Sequence, residues 1–371
     1  MEDAKLILQN STFVPCRAIG LRGLYNMGQT CFMSVVLQAL IHNPFLKSFY
    51  LTECHRAGVN CERESCTSCA LDEIFTEFYA MEKTEGYGAV SMLLGSWLGA
   101  SQLAGYQQQD AHEYLQFILN NLHVSNTERS GESDDGADGE ATQTSNDDAD
   151  CRCIIHQVFS GKLRSAVTCL KCQNTTTAQD PLLDLSLDLK SQTKKKKADK
   201  EGEEKTFTLM DCLSRFTSLE KLSADSYTCS NCGSQQDATK QLSLQRLPPV
   251  LCVHLKRFSH TPTSSQKINT PVRFPLSLNM YPYTTRATHA SSQASNGDAD
   301  TPKVPARQQS APYTLNAVIV HKGGMDSGHY VSYSREGNDW FMFDDSKVVL
   351  VSEKEVLGAE AYLLIYVVGE V

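Results

Sequence analysis

The sequence predicts an α+β protein. Helix-period patterns fill the first part of the chain, short β-branched and aromatic runs fill the last part, and no βαβ alternation links them. In CFMSVVLQALIHN, Phe32, Val35, Val36 and Leu40 fall near one helical face, and Asn43-Pro44 reads as a stop. ALDEIFTEFYAM repeats the pattern with Leu71, Ile74, Phe75 and Phe78. QQDAHEYLQFILNNLH repeats it with Tyr114, Leu115, Ile118 and Leu122. Asp110 and Glu113 open that third segment in a D-x-x-E arrangement related to a capping box. The later runs are PVLCVHLKRFS (249–259), YTLNAVIVHKG (313–323), GHYVSYSRE (328–336), WFMFDDSKVVLV (340–351) and AYLLIYVV (361–368). Turn residues separate them, as strands require.

At 371 residues the chain is long enough for a large core, and length alone allows two or three domains. Hydrophobic residues make up 41% and charged residues 21%, the balance of a globular protein. The net charge of -9 argues against broad affinity for nucleic acid. MEDAKLILQNSTFVPC has neither the basic start nor the apolar core of a signal peptide, and no run has the length of a membrane span. These features place the chain in the cytosol or nucleus. Three segments look like disordered insertions: 126–150 (polar and acidic), 190–205 (a charge run) and 284–312 (Ser/Ala/Pro-rich). The KKKK run within the second has the form of a nuclear localisation patch, although a solvated loop explains it as well.

In a reducing compartment fourteen cysteines point to metal or catalysis before disulfides. TCLKC and TCSNC supply Cys169, Cys172, Cys229 and Cys232, the ligand set of a Cys₄ zinc ribbon that leaves no open position for substrate. ECHRAGVNCERESCTSC offers a second set, His55, Cys61, Cys66 and Cys69, with Cys54 as a substitute. CRCIIH gives Cys151, Cys153 and His156 and lacks a fourth ligand. His123 would complete it and clamp both ends of the acidic insertion; spacing alone does not decide between this and a reduced cluster. Cys16, Cys212 and Cys252 read as packing residues.

Cys31 stands between a Gly/Asn/Gln/Thr-rich turn and an apolar helix, where a helix N-terminus lowers a thiol's pKa. A nucleophile there needs a base and a group to orient the base. His329 follows a glycine at a strand start, and WFMFDDSKV carries Asp344 and Asp345 within reach of an adjacent strand. Asn26, if its turn folds back, would offer an amide to an oxyanion. Together these form a set for acyl transfer, although a His-Tyr pair at a strand start is often structural.

GLYNMGQTCFMSVVLQAL resembles the Cys box of ubiquitin-specific proteases, and GGMDSGHYVSYSREGNDWFMFDDSKV resembles their His box. GYQQQDAHEYLQFIL and LCVHLKRF also match family motifs, in the family's order, from about Gly20 to about Val368. The resemblance implies a papain-like cysteine protease hand, with a helical thumb, a β palm and zinc-ribbon β fingers. It implies an N-terminal extension at 1–19 and a catalytic domain at 20–369. By matching motif, Cys31 is the nucleophile, His329 the general base and Asp344 the usual third member, with Asp345 able to share that role. Asn26 is the oxyanion donor. Asp110 and Glu113 would meet the basic ubiquitin tail, and Tyr330 would line its channel.

CRCIIHQVFSGKL and DPLLDLSLDL are similar to the deubiquitinase subgroup of the SAGA transcriptional coactivator, whose members carry extra zinc sites. By that resemblance His55/Cys61/Cys66/Cys69 and His123/Cys151/Cys153/His156 become zinc sites beside the ribbon. That makes up to three structural zincs and no catalytic cofactor. The implied partners are ubiquitin, a ubiquitylated protein such as a nucleosomal histone, and SAGA-like module subunits. No membrane and no sequence-specific nucleic acid contact are implied. The implied location is the nucleus, with the cytoplasm as a second compartment. One departure is that the subgroup's N-terminal ubiquitin-binding zinc finger, which docks the enzyme in its complex, has no counterpart before Gly20. The rival readings are a zinc-stapled ubiquitin-binding scaffold without turnover, and a nucleic-acid-binding zinc protein. The charge and the lack of a basic finger helix disfavour the last.

Overall fold

A computed structural model describes residues 20–52, 54–59, 61–63, 65–80, 83, 85–100, 103, 107–127, 151–189, 207–261, 264–295, 309–324 and 327–369. It is α+β, as the sequence predicts, and divides into two compact units. Among the described residues no helix is long and apolar enough to cross a membrane.

The first unit comprises Met1–Phe159 and Asn316–Ile365. Its helices are α1 (Cys31–Ile41), α2 (Pro44–Leu51), α3 (Thr67–Phe78), α4 (Val90–Gly99), α5 (Ala111–Thr127), α6 (Ile154–Phe159) and the short α9 (Glu353–Leu357). Helices α7 (Leu209–Phe216) and α8 (Thr285–Ser295) belong to the second unit. All eleven residues of α1 are buried, so it is a central helix with no wet face. It packs on the strand Gly328–Glu336. That strand pairs antiparallel with Pro312–Gly323 on one side and Asp339–Asp344 on the other, and Asp339–Asp344 pairs with Lys347–Val351.

One expectation is extended here and one corrected. Asn43-Pro44 ends α1 but also starts α2. Asn43 Oδ1 accepts the N–H groups of Phe45 (3.1 Å) and Leu46 (3.3 Å). Pro44 fills the first helical position, where its missing N–H costs nothing. The run 340–351 is not one strand. It folds into a hairpin because Asp345 adopts φ +50°, a left-handed conformation that aspartate tolerates better than most residues.

The second unit comprises Ser160–Leu315 and Tyr366–Val371. Its main sheet sets Gly161–Cys169 between Thr175–Leu182 and Ala238–Arg246, all antiparallel, with Glu220–Leu222 beyond. Asp184–Asp188 and Val250–Lys256 pair in parallel. Helix α7 (Leu209–Phe216) begins with a capping box of Thr208 and Asp211.

The three expected insertions fare differently. Segment 190–205 lies outside the described residues, as do 128–150 of the first; residues 126 and 127 still belong to α5. The segment 284–312 is not one disordered stretch. It opens with α8 (Thr285–Ser295), and its end enters a strand at Pro312. Thr284 Oγ1 accepts the N–H of Ala287 at 3.4 Å, and Thr285 Oγ1 lies 3.0 Å from Ser243 Oγ on the sheet. A cap and a packing surface thus outweigh the helix-poor composition.

Candidate active site and metal centres

The residues that carry the candidate chemistry all lie in the first unit. Thr30 precedes α1, so Cys31 is its first helical residue. The approach is a tight turn, with Gly28 at φ +101° and Gln29 at +58°. Asn26 Oδ1 accepts the N–H groups of Gly28 (3.1 Å) and Thr30 (3.2 Å). With the carbonyl side of the amide occupied, Nδ2 is turned the other way and donates to Asp345 Oδ2 at 3.1 Å.

The adjacent aspartates therefore have separate partners, a division the sequence left open. His329 Nε2 lies 2.6 Å from Asp344 Oδ1, and a carboxylate acceptor fixes that nitrogen as the donor. The strand Asp339–Asp344 ends at Asp344, so its side chain still follows the alternation of the sheet. The left-handed Asp345 leaves that alternation and reaches Asn26. Leu24 N–H donates to Asp345 O at 3.0 Å, which ties the two segments together. A Cβ on Gly23 would collide with the carbonyl carbon of Ser346, so only glycine allows this approach.

Cys31 is 3% exposed. Burial is the largest influence on its thiol and pushes its pKa up. The Tyr330 N–H pulls it down, the Asp345 charge pushes it up, and the N–H groups of Phe32 and Cys31 pull it down. The expected lowering by the helix N-terminus is thus overturned in the net: the helical N–H groups act in the expected direction, but burial outweighs them.

Asp110 Oδ1 accepts the N–H groups of His112 (2.7 Å) and Glu113 (3.2 Å) at the start of α5, while Oδ2 accepts the Tyr362 hydroxyl at 2.6 Å. Glu113 is exposed on the first turn. Tyr330 is buried, its hydroxyl 3.4 Å from the Ala111 N–H, and its backbone N–H faces Cys31. Burial, reinforced by the Asp110 charge, pushes the phenols of Tyr330 and Tyr362 up, so both stay neutral. What Tyr330 presents to Cys31 is thus main chain, and its ring is packed inside.

Sequence reasoning missed Gln108. Its Nε2 donates to Gly328 O at 2.8 Å and its Oε1 accepts the Gly328 N–H at 2.9 Å. The run GYQQQDAHEY contains the residue but gives no sign of which glutamine turns inward.

The structure brings together all three expected ligand sets: His55/Cys61/Cys66/Cys69, His123/Cys151/Cys153/His156 and Cys169/Cys172/Cys229/Cys232. In each, the ligand atoms lie within 4.8 Å of one another. His55 Nε2 is 3.3 Å from both Cys66 and Cys69 Sγ, Cys153 Sγ is 3.3 Å from His123 Nδ1 and 3.2 Å from His156 Nδ1, and Cys172 Sγ is 3.6 Å from Cys229 Sγ. A tetrahedral ion with Zn–S of about 2.3 Å and Zn–N of about 2.0 Å imposes edges of roughly 3.5–3.8 Å, close to these values. These donor sets can hold a metal ion. Cys54 is exposed, beside Thr52 Oγ1 at 3.2 Å, and lies outside the first set. Cys212 and Cys252 are buried as packing residues, and Cys16 lies outside the described residues.

With this geometry established, the family model described as ubiquitin carboxyl-terminal hydrolase matches residues 22–366. The chain belongs to the ubiquitin carboxyl-terminal hydrolase family. Among members of this family, it is 41% identical over 366 residues to human ubiquitin carboxyl-terminal hydrolase 22, covering 94% of this chain and 66% of the relative. It is 36% identical over 353 residues to the probable ubiquitin carboxyl-terminal hydrolase 8 of Schizosaccharomyces pombe, covering 95% of this chain and 66% of the relative. The chain thus spans about two thirds of the length of these hydrolases. It is also similar to a solved chain in the SAGA Ubp8/Sgf11/Sus1/Sgf73 DUB module bound to ubiquitin aldehyde, with TM-score 0.74 and 35% identity, covering 100% of this chain and 76% of that one. A second such structure is the module bound to monoubiquitin, at TM-score 0.74 and covering 74% of its chain.

Proposed function

We propose that this chain is a cysteine deubiquitinase that hydrolyses the isopeptide bond between the ubiquitin C-terminal glycine and a substrate lysine. The observation that carries this reading is the split of the two aspartates: Asp344 on the imidazole of His329, and Asp345 on the amide of Asn26 with its charge acting on the thiol of Cys31. Cys31 Sγ attacks the glycine carbonyl carbon while its proton passes to His329 Nδ1, the nitrogen not engaged by Asp344. The oxyanion is held by the second N–H of Asn26 Nδ2 and by the main-chain N–H at the start of α1. Collapse breaks the C–N bond, and the imidazolium gives its proton to the departing lysine amine. Water then attacks the thioester, His329 takes a proton from it, and Cys31 leaves as the thiol once that proton returns to sulfur.

In the same reading, 20–369 is one catalytic domain after an extension at 1–19. Asp110 and Glu113 are carboxylates for the basic ubiquitin tail, and Tyr330 borders its channel through its backbone. The three ligand sets hold structural zinc, which supplies folding energy and no open coordination site. The likeness to a chain of the SAGA DUB module bound to monoubiquitin supports work on monoubiquitin within a SAGA-like assembly; a nucleosomal histone as the substrate, and a nuclear location with it, are part of the same proposal.

The test is to incubate the purified protein with ubiquitin carrying a C-terminal electrophile and to locate the adduct by mass spectrometry, with Cys31→Ala as control. An adduct on Cys31 is expected. Binding of ubiquitin without an adduct, from folded and zinc-loaded protein mixed with module subunits, would favour a non-catalytic scaffold instead.

A further inference from the structure

We propose that Gln108 is a positioning residue for the Cys31–His329 pair, an inference that rests on the deubiquitinase reading. In an antiparallel strand every second residue turns its N–H and C=O to the same edge. On the strand Gly328–Glu336, the partner Asp339–Asp344 covers that edge only from Ser332 to Glu336. Gly328 and Tyr330 are left beyond the partner. Tyr330 turns its N–H to Cys31 Sγ. Gly328 gives both of its main-chain groups to one side chain, the amide of Gln108, at 2.8 and 2.9 Å. Gln108 therefore does what the missing length of strand would do, at the residue directly before His329.

The same amide nitrogen also lies 3.2 Å from Gln29 Oε1, two residues before Cys31. One planar group thus touches both the turn that delivers the thiol and the strand end that delivers the imidazole. Its own anchor is firm, because two residues later Asp110 caps α5 and takes the Tyr362 hydroxyl. The side-chain face of Gly328 is closed as well: a Cβ there would collide with His321 Nε2. Gly328 is held by Gln108 on one edge and pairs with Gly323 on the other, and the direction in which His329 leaves it is set by that grip. The planar amide fits the arrangement because it carries both a donor for the carbonyl and an acceptor for the N–H.

The experiment compares wild type, Gln108→Ala, Gln108→Glu, Gln108→Met and the exposed control Gln107→Ala in two assays. The first follows cleavage of ubiquitin bearing a C-terminal aminocoumarin; the second follows alkylation of Cys31 by iodoacetamide against pH. We expect the three Gln108 variants to lose about 10–100-fold in kcat with KM unchanged, the scale on which small misplacements of reacting groups act. We also expect the pH profile of Cys31 alkylation to move, as it does when the imidazole no longer faces the thiol. Gln108→Glu keeps the acceptor but sets a carboxylate oxygen against Gly328 O, so it fails with the others. Full activity in Gln108→Met, a loss confined to KM, or an unmoved alkylation profile would overturn the proposal. A wild type that alkylates at Cys31 yet leaves the ubiquitin conjugate intact would overturn the deubiquitinase reading instead, and the alkylation profiles alone would still decide the role of Gln108.

Discussion

Leu24 donates its main-chain N–H to the carbonyl oxygen of Asp345 at 3.0 Å. This bond joins the segment that delivers Cys31 to the hairpin that delivers both aspartates. Gly23, one residue earlier, makes the approach sterically feasible. Gly23→Ala would drive a methyl carbon into the Ser346 backbone and must displace the hairpin. The expected outcome is a fall in kcat of about 100-fold with zinc content unchanged, read by hydrolysis kinetics beside metal analysis.

The two aspartates should separate on mutation. Asp344→Asn removes the carboxylate that orients His329 and should lower kcat by roughly 10²–10⁴-fold, on the scale seen for such orienting groups. Asp345→Asn should also lower kcat, because Asn26 loses its anchor. Unlike Asp344→Asn, it should make Cys31 more reactive to iodoacetamide at neutral pH. The sign follows from charge: the Asp345 carboxylate disfavours the thiolate, so neutralising it lowers the thiol pKa. Equal alkylation rates in the two variants would contradict this division.

In the wild type the same logic fixes a pH dependence. Burial raises the Cys31 pKa above the ordinary thiol value of 9.0, and only the thiolate alkylates. The alkylation rate of the free protein should therefore keep rising as pH climbs through that value and beyond. A plateau at neutral pH would show a thiolate already formed in the resting protein.

Metal removal tests the ligand sets. Dialysis against a strong chelator should release three zinc equivalents per chain, one for each Cys/His set. Because zinc binding is coupled to folding, the circular dichroism melt should shift to lower temperature or vanish. His123→Ala should remove one equivalent while Cys54→Ala removes none, since Cys54 stands outside the first set.

Asn43→Ala tests the local reading of the chain. It removes an acceptor for two N–H groups at the start of α2 and should cost about 1 kcal/mol in a denaturant melt.

Much of this was legible in the sequence because the signals are local. The apolar period of α1, the turn before Cys31, and the C-x-x-C pairs each lie within a few residues. The His123 set was legible as ligand types but not as geometry, because its completion depends on α5 and α6 lying side by side. The partner of His329 was not legible from the residues themselves; only the family resemblance favoured Asp344. Asp344 and Asp345 are neighbours of one chemical type, and only the left-handed turn at Asp345 sends their side chains to different targets. Gln108 escaped for a related reason: an amide among three consecutive glutamines is distinguished only by which one meets an uncovered strand edge. In 284–312 composition misled, since α8 is held by a threonine cap and by contact with the sheet.

The seclusion of Cys31 bears on survival under oxidative stress. Peroxide attacks thiolates it can reach, and a buried, protonated sulfur offers neither charge nor access. With Cys31 only 3% exposed and its pKa raised, the resting protein should outlast the low-pKa cysteines of redox sensors. Its reactivity would then be spent on the bound conjugate, and among the described cysteines the one most exposed to damage between turnovers would be Cys54, which lies outside the three ligand sets and the Cys31 site.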